Sequence, residues 1–398
     1  MTESVIVEAP VTVAEAPVAG SDPRLRWALL AIGLVSALAL PWFVYPPVAM
    51  DIAALALFAI ALDLLLGYTG LLSFGHAAFW GSSAYVTGLI AIHYGVPFPV
   101  AVIGGAVFAM VLALPLGYLS VRLSGIYFAM VTLAFAQMVY FIGYQWSALT
   151  GGENGLQGVP RNFFGIELVE TDSFYFYYAA LPIILLGMWA AWRIVHSPFG
   201  RVLVSIRDNT QRARALGYEV EKYKLVAFVL SAGLTGLAGG VFAINHGFVA
   251  LTELHWSTSG EAVLMTVLGG IGTLWGGIPG AFLTVKLSDY LASSGFDGID
   301  LVTGSVFILV VLLFRRGIWG TVRHQWLALQ LRRMSSRRSS AGTDPAILTM
   351  RGKLKKSHHT TSGEAPVGDF AENTRDQVPN LGDGHGAVPE GGVRERHR

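Results

Sequence analysis

Two ionisable residues, Asp63 and His76, lie in an unusually apolar stretch of the sequence. Between Arg26 and Arg122 the only Asp, Glu, Lys or Arg side chains are Asp51 and Asp63. Inside a membrane such groups are functional candidates, because burying a charge in lipid is costly. A carboxyl group and a histidine could relay a proton, as an ion-coupled carrier requires. A neutral histidine that is hydrogen-bonded in the core, or that lines a pore, also explains His76, and we favour this interpretation.

Clustered glycines form a second group of residues that could act on a solute. Glycines let helices approach closely, and broken helices expose backbone N–H and C=O groups to a cavity. Such groups can bind the carboxylate and ammonium of a zwitterionic solute without a fixed charge. Simple helix packing would also require glycines, so the residues alone leave both interpretations open. The candidates for a solute path are Gly67, Gly70, Gly75, His76, Phe79, Gly269, Gly270 and Gly272.

The two glycine clusters also hint at an internal duplication. Paired Gly-interrupted segments in two halves often mark the substrate site of a transporter. The alignment is short, and chance similarity between glycine-rich helices would also produce it. At a spacing of 202 residues, Gly67, Gly70, Leu72 and Gly75 correspond to Gly269, Gly272, Leu274 and Gly277.

The most basic segment before the C-terminal region is 193–224, with seven of the 12 basic residues that precede residue 315. Ser197-Pro198 predicts a helix start and Gly217 a helix end, while Asp208-Asn209 predicts a break between two short helices. The pattern predicts an amphipathic helical hairpin, which could offer its apolar side to a protein partner or lie on lipid headgroups. The apolar positions, mostly three or four residues apart, are Val202, Leu203, Ile206, Ala213 and Leu216.

The composition of the 398 residues excludes a soluble enzyme for most of the chain. Hydrophobic residues make up 53% and charged residues only 13%, against about 25% charged in an ordinary soluble protein. Cysteine is absent, which excludes disulfides, thiolate nucleophiles and Cys-ligated metals. We find no set of catalytic residues, and His358-His359 is too short a cluster to predict a metal site. The sequence therefore predicts a membrane protein that is not an enzyme.

Apolar runs of about 20 residues are long enough to cross a bilayer as helices. The predicted class is an all-α, polytopic integral membrane protein with about eight to ten transmembrane helices and Gly-rich broken or re-entrant segments. The run 261–293 is long for one helix and short for two, so we expect two short helices or a re-entrant pair. Full crossings are predicted at 27–45, 48–66, 71–92, 98–121, 124–146, 175–195, 225–247 and 299–314.

Basic residues indicate the orientation, because they collect on the cytoplasmic side. They predict that 193–224 and both termini are cytoplasmic and that the acidic loop 147–174 is external. Residues 1–314 carry a net charge of −6 and residues 315–398 carry +7. A cytoplasmic tail accounts for this basic end better than nucleic-acid binding. The expected domains are a disordered tail 1–22, a membrane domain 23–322 with its cytoplasmic loop at 196–222, and a disordered basic tail 323–398.

Four stretches resemble the permeases of branched-chain amino acid ABC transporters, the LivM-like family. The likeness covers about residues 48–316 and keeps the order of the motifs. Urea and short-amide permeases are similar, so the resemblance is less specific for the substrate. The matching stretches are 67–79, 123–135 continuing to 149–156, 196–218 and 264–276.

The resemblance implies a transport subunit in a bacterial plasma (inner) membrane. Its implied partners are ATP-binding-cassette ATPase subunits, a second homologous permease subunit and an external or periplasmic solute-binding protein. The chain lacks a Walker A pattern, so we expect the partner ATPase to use ATP and Mg and this chain to bind no cofactor. Branched-chain amino acids lead as substrates, while urea, short amides and other amino or aromatic acids stay open. The alternative of another class is an ion-coupled secondary transporter.

The resemblance also implies roles for individual residues. The loop 200–217 would dock in a groove on the ATPase, with apolar residues filling the groove and arginines orienting the loop. The turn 150–155 would lie at an external entrance, where Glu153 or Arg161 could meet the binding protein, although an ordinary turn-rich loop fits equally. The docking candidates are Gly200, Arg201, Ile206, Arg207, Asp208, Ala215, Leu216 and Gly217, and the entrance candidates are Gly151, Gly152, Glu153 and Asn154.

Overall fold

Long apolar runs fold into helices because a helix satisfies its own backbone polar groups where water is absent. The computed structural model of the chain describes residues 33, 35–293, 304, 305 and 317. The predicted tails 1–22 and 323–398, the start of the first crossing and nearly all of the last one lie outside the described residues. The long helices are α1 (35–43), α2 (Pro46–Thr69), α3 (His76–Tyr94), α4 (Phe98–Ser120), α5 (Ile126–Gln145), α8 (Ser173–Val195) and α11 (Val220–His246).

Shorter elements join these helices. The connection between α5 and α8 holds α6 (Ser147–Thr150), a 3-10 turn (Gly152–Asn154), β1 (Leu156–Gln157) and α7 (Glu167–Thr171). The connection between α8 and α11 holds α9 (Pro198–Asp208) and α10 (Thr210–Ala215). After α11 come β2 (Phe248–Val249), a 3-10 turn (Leu251–Leu254), α12 (Trp256–Gly269) and α13 (Gly277–Ser293).

The all-α, polytopic class is confirmed. Within the described part of the chain, α2, α4, α5, α8 and α11 are long and apolar enough to span a membrane. The strands there form one antiparallel pair, with Leu156 opposite Val249 and Gln157 opposite Phe248. This pair joins the loop before α8 to the end of α11. We call this end of the bundle the acidic-loop end, and the opposite end, which carries α9 and α10, the basic-loop end.

The expected break in 261–293 is confirmed, since α12 and α13 are two short helices separated by 270–276. One predicted boundary is wrong. The crossing 71–92 begins as a helix only at His76, because Gly70 ends α2 in a left-handed conformation with φ 73°. Residues 71–75 are therefore irregular, although the mostly apolar sequence of this segment suggested that it belongs to a membrane helix.

The helix α2 lies at the centre of the described bundle. Its side chains are buried almost all round, as expected of a helix without a polar face. Glycines of α11 let it pack closely against α4 and α3: a Cβ at Gly236 would lie 2.9 Å from the Cα of Ala106 in α4, and Gly239 touches the backbone of Trp80 in α3. By contrast, α4 and α5 expose apolar side chains such as Ile103 and Met130, 57% and 61% exposed.

Candidate functional site

The predicted helical hairpin at the basic-loop end is present as α9 and α10. The hydroxyl of Ser197 accepts a hydrogen bond from the Gly200 N–H at 3.3 Å, which caps α9. The Asn209 side chain accepts one from the Arg212 N–H at 2.8 Å, which caps α10. Local capping chemistry therefore produces both helices and the break between them.

The hairpin exposes only some of the predicted docking residues. Leu216 is 70% exposed just after the end of α10, and Arg201, Asp208, Ala215 and Gly217 are exposed as well. We expected Ile206 to fill a groove on a partner, but it is fully buried against Ala213 and Val220 of its own chain. Gly200 is also buried, against the carbonyl of Val195. These two residues support the exposed surface and do not belong to it.

Arg207 connects the hairpin to α2. One terminal nitrogen of its guanidinium donates to the Gly67 carbonyl at 2.6 Å. Nε and the other terminal nitrogen donate to Asp208 Oδ1 at 3.1 and 2.9 Å. A Cβ at Gly70 would lie 3.0 Å from Arg207 Cγ, so the side chain runs against the end of α2. The sequence suggested an outward-facing arginine, whereas 14% of this side chain is exposed.

Asp63 connects α2 to the second glycine-rich segment. Its Oδ1 accepts a hydrogen bond from the Gly272 N–H at 2.7 Å, and its Oδ2 accepts one from the Leu274 N–H at 2.9 Å. One turn further along α2, a Cβ at Gly67 would lie 2.6 Å from the Cα and N of Gly272. The two glycine clusters of the sequence therefore touch, and Asp63 satisfies backbone groups of the turn 270–276.

His76 is fully buried and bonded on both ring nitrogens. Nδ1 lies 2.9 Å from Ser73 Oγ, and Nε2 lies 2.8 Å from Ser231 Oγ. Ser231 gives its single hydroxyl proton to the Ala61 carbonyl, so it accepts from His76. This arrangement places a proton on Nε2. His76 is thus a buried, hydrogen-bonded core residue, its neutral state stays a prediction, and within the described residues no hydrogen bond joins it to Asp63.

The remaining solute-path candidates are packing or turn positions in this conformation. Phe79 is 1% exposed and meets His76 edge-on, with ring centroids 5.6 Å apart. A Cβ at Gly75 would lie 3.1 Å from Thr132, and Gly269 packs on the backbone of Gly276. Gly270 and Gly272 have positive φ in the turn 270–276. Gly70 alone among them lines an open apolar groove, of about 510 Å³, with Leu72, Phe74, Gly125, Ile126, Ala129, Met130 and Leu133.

The glycines of the predicted entrance build a tight turn at the acidic-loop end. Gly151 and Gly152 adopt left-handed φ values of 78° and 61°, and a side chain on Gly151 would collide with the Gly155 carbonyl. Gly151, Glu153 and Asn154 are exposed, whereas Gly152 is buried. Glu153 accepts a hydrogen bond from the Tyr144 hydroxyl at 3.2 Å. The turn therefore presents Glu153 on a constrained backbone.

Arg161, which we considered for contact with an external protein, is used inside the chain. Its Nε donates to the Ile244 carbonyl at 3.3 Å, and a terminal nitrogen donates to the Asn245 carbonyl. The guanidinium carbon lies 5.1 Å from the centre of the Phe176 ring. Burial lowers the pKa of this guanidinium from its usual value. A cation at the carbonyl end of a helix is favourable, so Arg161 caps α11.

The sequence did not reveal two polar contacts within the bundle. The indole N–H of Trp80 donates to Glu253 Oε2 at 2.7 Å, although Glu253 belongs to the connection after α11. Asn245 donates from its side-chain amide to Asp51 Oδ1 at 2.9 Å. Each contact involves an acidic residue that the sequence could have flagged as a candidate for a buried hydrogen bond. The sequence could not identify the partner, which lies more than 170 positions away in both cases.

Spanning helices interrupted at two glycine-rich breaks, with an amphipathic hairpin at one end, define the class of polytopic membrane transport subunits. The model of one family, described as "Branched-chain amino acid transport system / permease component", matches residues 47–314, and the chain belongs to this family.

Similar proteins agree with this assignment. The chain is 30% identical over 332 residues to the high-affinity branched-chain amino acid transport system permease protein LivM of Escherichia coli (strain K12), covering 77% of each chain. LivM of Salmonella typhimurium is also 30% identical, again over 77% of each chain. A shorter match, 34% over 138 residues, joins 33% of this chain to 40% of the autoinducer 2 import system permease protein LsrC of Salmonella paratyphi B.

Proposed function

We propose that this chain is the transmembrane permease subunit of an ATP-binding-cassette importer that moves branched-chain amino acids inward by alternating access. The observation that carries the proposal is the α9–α10 hairpin, which exposes Leu216 and is bonded to α2 through Arg207. A partner that binds this hairpin and moves it would therefore also move the central helix α2. Membership of the permease family supports a transport role, and the two long relatives favour branched-chain amino acids.

The proposed complex contains two ATPases, a second homologous permease subunit and an external solute-binding protein. We place the chain in a bacterial plasma membrane, with the basic-loop end and both termini in the cytoplasm. The clustering of basic residues at 193–224 supports this orientation. The ATPases would use ATP and Mg, and this chain would bind no cofactor.

The proposed contact with an ATPase consists of the exposed part of the hairpin. On α9, Arg201 and Asp208 lie on the exposed stripe opposite the buried Leu203 and Ile206. Leu216 provides an apolar anchor, and apolar side chains that enter a partner pocket dominate the energy of many interfaces. The arginines orient the loop, since rim charges steer association more than they add affinity.

Reconstitution tests the proposed function directly. The chain is co-expressed with its neighbouring ATPase and permease genes, purified in mild detergent and reconstituted with the binding protein. We expect the ATPase to co-purify and leucine, isoleucine or valine uptake to require ATP. Uptake that stops when the proton gradient collapses, with ATP intact, would instead identify an ion-coupled carrier.

A single substitution tests the docking surface. Leu216→Asp places a charge on the apolar anchor, so we expect ATPase co-purification to be lost and ATP-driven uptake to fall by roughly thirtyfold, in line with an interface hot spot. The measurements are the ATPase-to-permease ratio after purification and the initial rate of uptake.

The matched control is Leu168→Asp, the same change at a 59% exposed leucine at the acidic-loop end. This variant should retain the ATPase. Retention of the ATPase and of uptake by Leu216→Asp would show that the docking surface lies elsewhere.

The substrate is tested on the binding protein. Calorimetric titration with leucine, isoleucine and valine, and in parallel with urea, short amides and aromatic acids, distinguishes the candidates. Tight binding of a branched-chain amino acid supports the proposal, and exclusive binding of urea or an amide replaces it with the alternative substrate class.

A further inference from the structure

We propose that Asp63 is a positioning residue for energy coupling: it connects the docking hairpin, through α2 and Arg207, to the turn 270–276 between α12 and α13. The inference rests on the proposed function, because it assumes that an ATPase moves the hairpin. It assigns to Asp63 the transmission of that movement to the second glycine-rich segment, in place of proton transfer.

The first link joins the hairpin to α2. Arg207 lies in the last turn of α9, and its guanidinium donates to the Gly67 carbonyl at 2.6 Å while its stem packs on Gly70. A hydrogen bond from a charged donor is stronger than a neutral one. The carbonyl is available because the last turn of a helix leaves such groups without helical partners. A displacement of α9 therefore acts on the end of α2.

The second link joins α2 to the turn 270–276. The carboxyl group of Asp63 accepts two backbone N–H groups of this turn, from Gly272 and Leu274. Neither helix continues through the turn, where Gly270, Gly272 and Leu274 all have positive φ. Leu274 is not a glycine, so its left-handed conformation is unfavourable unless the surroundings hold it. The two hydrogen bonds to Asp63 hold this backbone.

Gly67 brings the two links together. Its carbonyl bonds to Arg207, and its Cα is so close to the turn that a side chain would collide with Gly272. Asp63 and Gly67 are four residues apart and share one face of α2. The hairpin and the turn 270–276 thus contact the same helical turn of α2.

The role of Asp63 is tested by Asp63→Asn. The amide retains one acceptor but presents N–H donors to the second backbone N–H, so one of the two bonds is lost. The matched control is Asp51→Asn on the same helix, where the side chain bonds to Asn245 at the acidic-loop end. A second variant, Arg207→Gln, weakens the first link without changing the buried turn.

Conformational coupling is read from the turn itself. The chain has no cysteine, so Ile271→Cys, at a 36% exposed position in the turn, provides a unique label site. In the reconstituted complex we expect its maleimide labelling rate to change on addition of a non-hydrolysable ATP analogue. This nucleotide dependence should disappear with Asp63→Asn and Arg207→Gln and persist with Asp51→Asn.

In the same variants, we expect amino acid uptake to fall while ATP hydrolysis is retained. With Asp63→Asn the ATPases still co-purify and hydrolyse ATP, while the amino acid transported per ATP falls by roughly tenfold. A purely structural role would lower thermal stability and all activities together.

Three results would overturn the inference. They are nucleotide-dependent labelling that persists in Asp63→Asn, an equal loss in Asp63→Asn and Asp51→Asn, or uptake by Asp63→Asn that loses only its dependence on a proton gradient. Failure of the wild-type complex to retain an ATPase would instead refute the proposed function, and this inference with it.

Discussion

The imidazole of His76 lies between two serine hydroxyls, one at each ring nitrogen. Because Ser231 donates to Ala61, it accepts from the imidazole Nε2, and Ser73 Oγ lies within hydrogen-bond distance of Nδ1 on the other side. The ring lies edge-on to Phe79 and Phe228, which exclude water from it. A residue that could carry a proton, judged from the sequence, is thus a buried cross-link between α3 and α11, and we predict that it is neutral.

We predict that His76→Gln leaves the pH profile of uptake unchanged. Glutamine keeps a donor and an acceptor but cannot titrate, so its cost is confined to imperfect hydrogen bonds, about 1–2 kcal/mol of unfolding free energy. Uptake between pH 5 and 8 and the midpoint of thermal unfolding in detergent measure the two effects. A pH profile that flattens in this variant would restore the proton-carrier hypothesis.

At the scale of the elements, the sequence predicted the helices better than their faces. Ser197, Pro198 and Asn209 correctly predicted both helices of the hairpin, α9 and α10, because capping is a local property. The apolar stripe containing Ile206 predicted an amphipathic helix, but a stripe does not reveal whether it faces its own chain or a partner. Only the structure shows that Leu216, which lies outside α9, is exposed whereas Ile206 is buried.

Helix ends show the same limit. The irregular segment 71–75 is mostly apolar, so its sequence does not distinguish it from a helix. Gly70 ends α2 in a left-handed conformation, but in the sequence it cannot be told from a glycine inside a membrane helix. The sequence places Arg161 in a loop, where we expected it to be available for contact with another protein. Its partners are carbonyls 83 and 84 residues away, which local sequence patterns do not identify.

We predict that Arg161→Met destabilises the end of α11. Methionine keeps an apolar stem over Phe176 but removes the charged donors to the helix carbonyls, which costs about 2 kcal/mol. The control is Arg122→Met, an exposed arginine that contacts Tyr118 on the surface, where we expect a change within about 0.5 kcal/mol. Thermal unfolding in detergent compares them, and equal midpoints for the two variants would contradict a capping role.

At the scale of the whole molecule, the two glycine-rich breaks share a backbone conformation, while the internal duplication stays a hypothesis. Gly70 and Gly272, 202 residues apart, have φ values of 73° and 76°, and an irregular segment leads from each into the next helix. The repeat spacing could be read from the sequence, as could the class of fold. The contact between the breaks could not, because Asp63 and Gly272 are 209 residues apart and either could have had another partner.

We predict that Gly67→Ala weakens this contact. The new Cβ would lie 2.6 Å from Gly272, and overpacking of this kind costs roughly 1–3 kcal/mol. The control is Gly260→Ala in α12, where nothing lies within 4 Å of the added Cβ and better helix propensity should compensate. A lower unfolding midpoint and slower uptake in Gly67→Ala alone is the expected result. Identical behaviour of both variants would show that the breaks need not touch.

The helix α11 gives the molecule a mechanical property that follows from its two ends. It begins directly after the hairpin and ends where β2 pairs with the strand that follows the turn 151–154. Its 27 residues form one uninterrupted rod, about 40 Å long at 1.5 Å per residue. A rigid rod transmits a displacement along its axis, so moving the turn 151–154 along α11 would also move the hairpin of α9 and α10. In the proposed complex, the binding protein and the ATPase would therefore act on opposite ends of one helix.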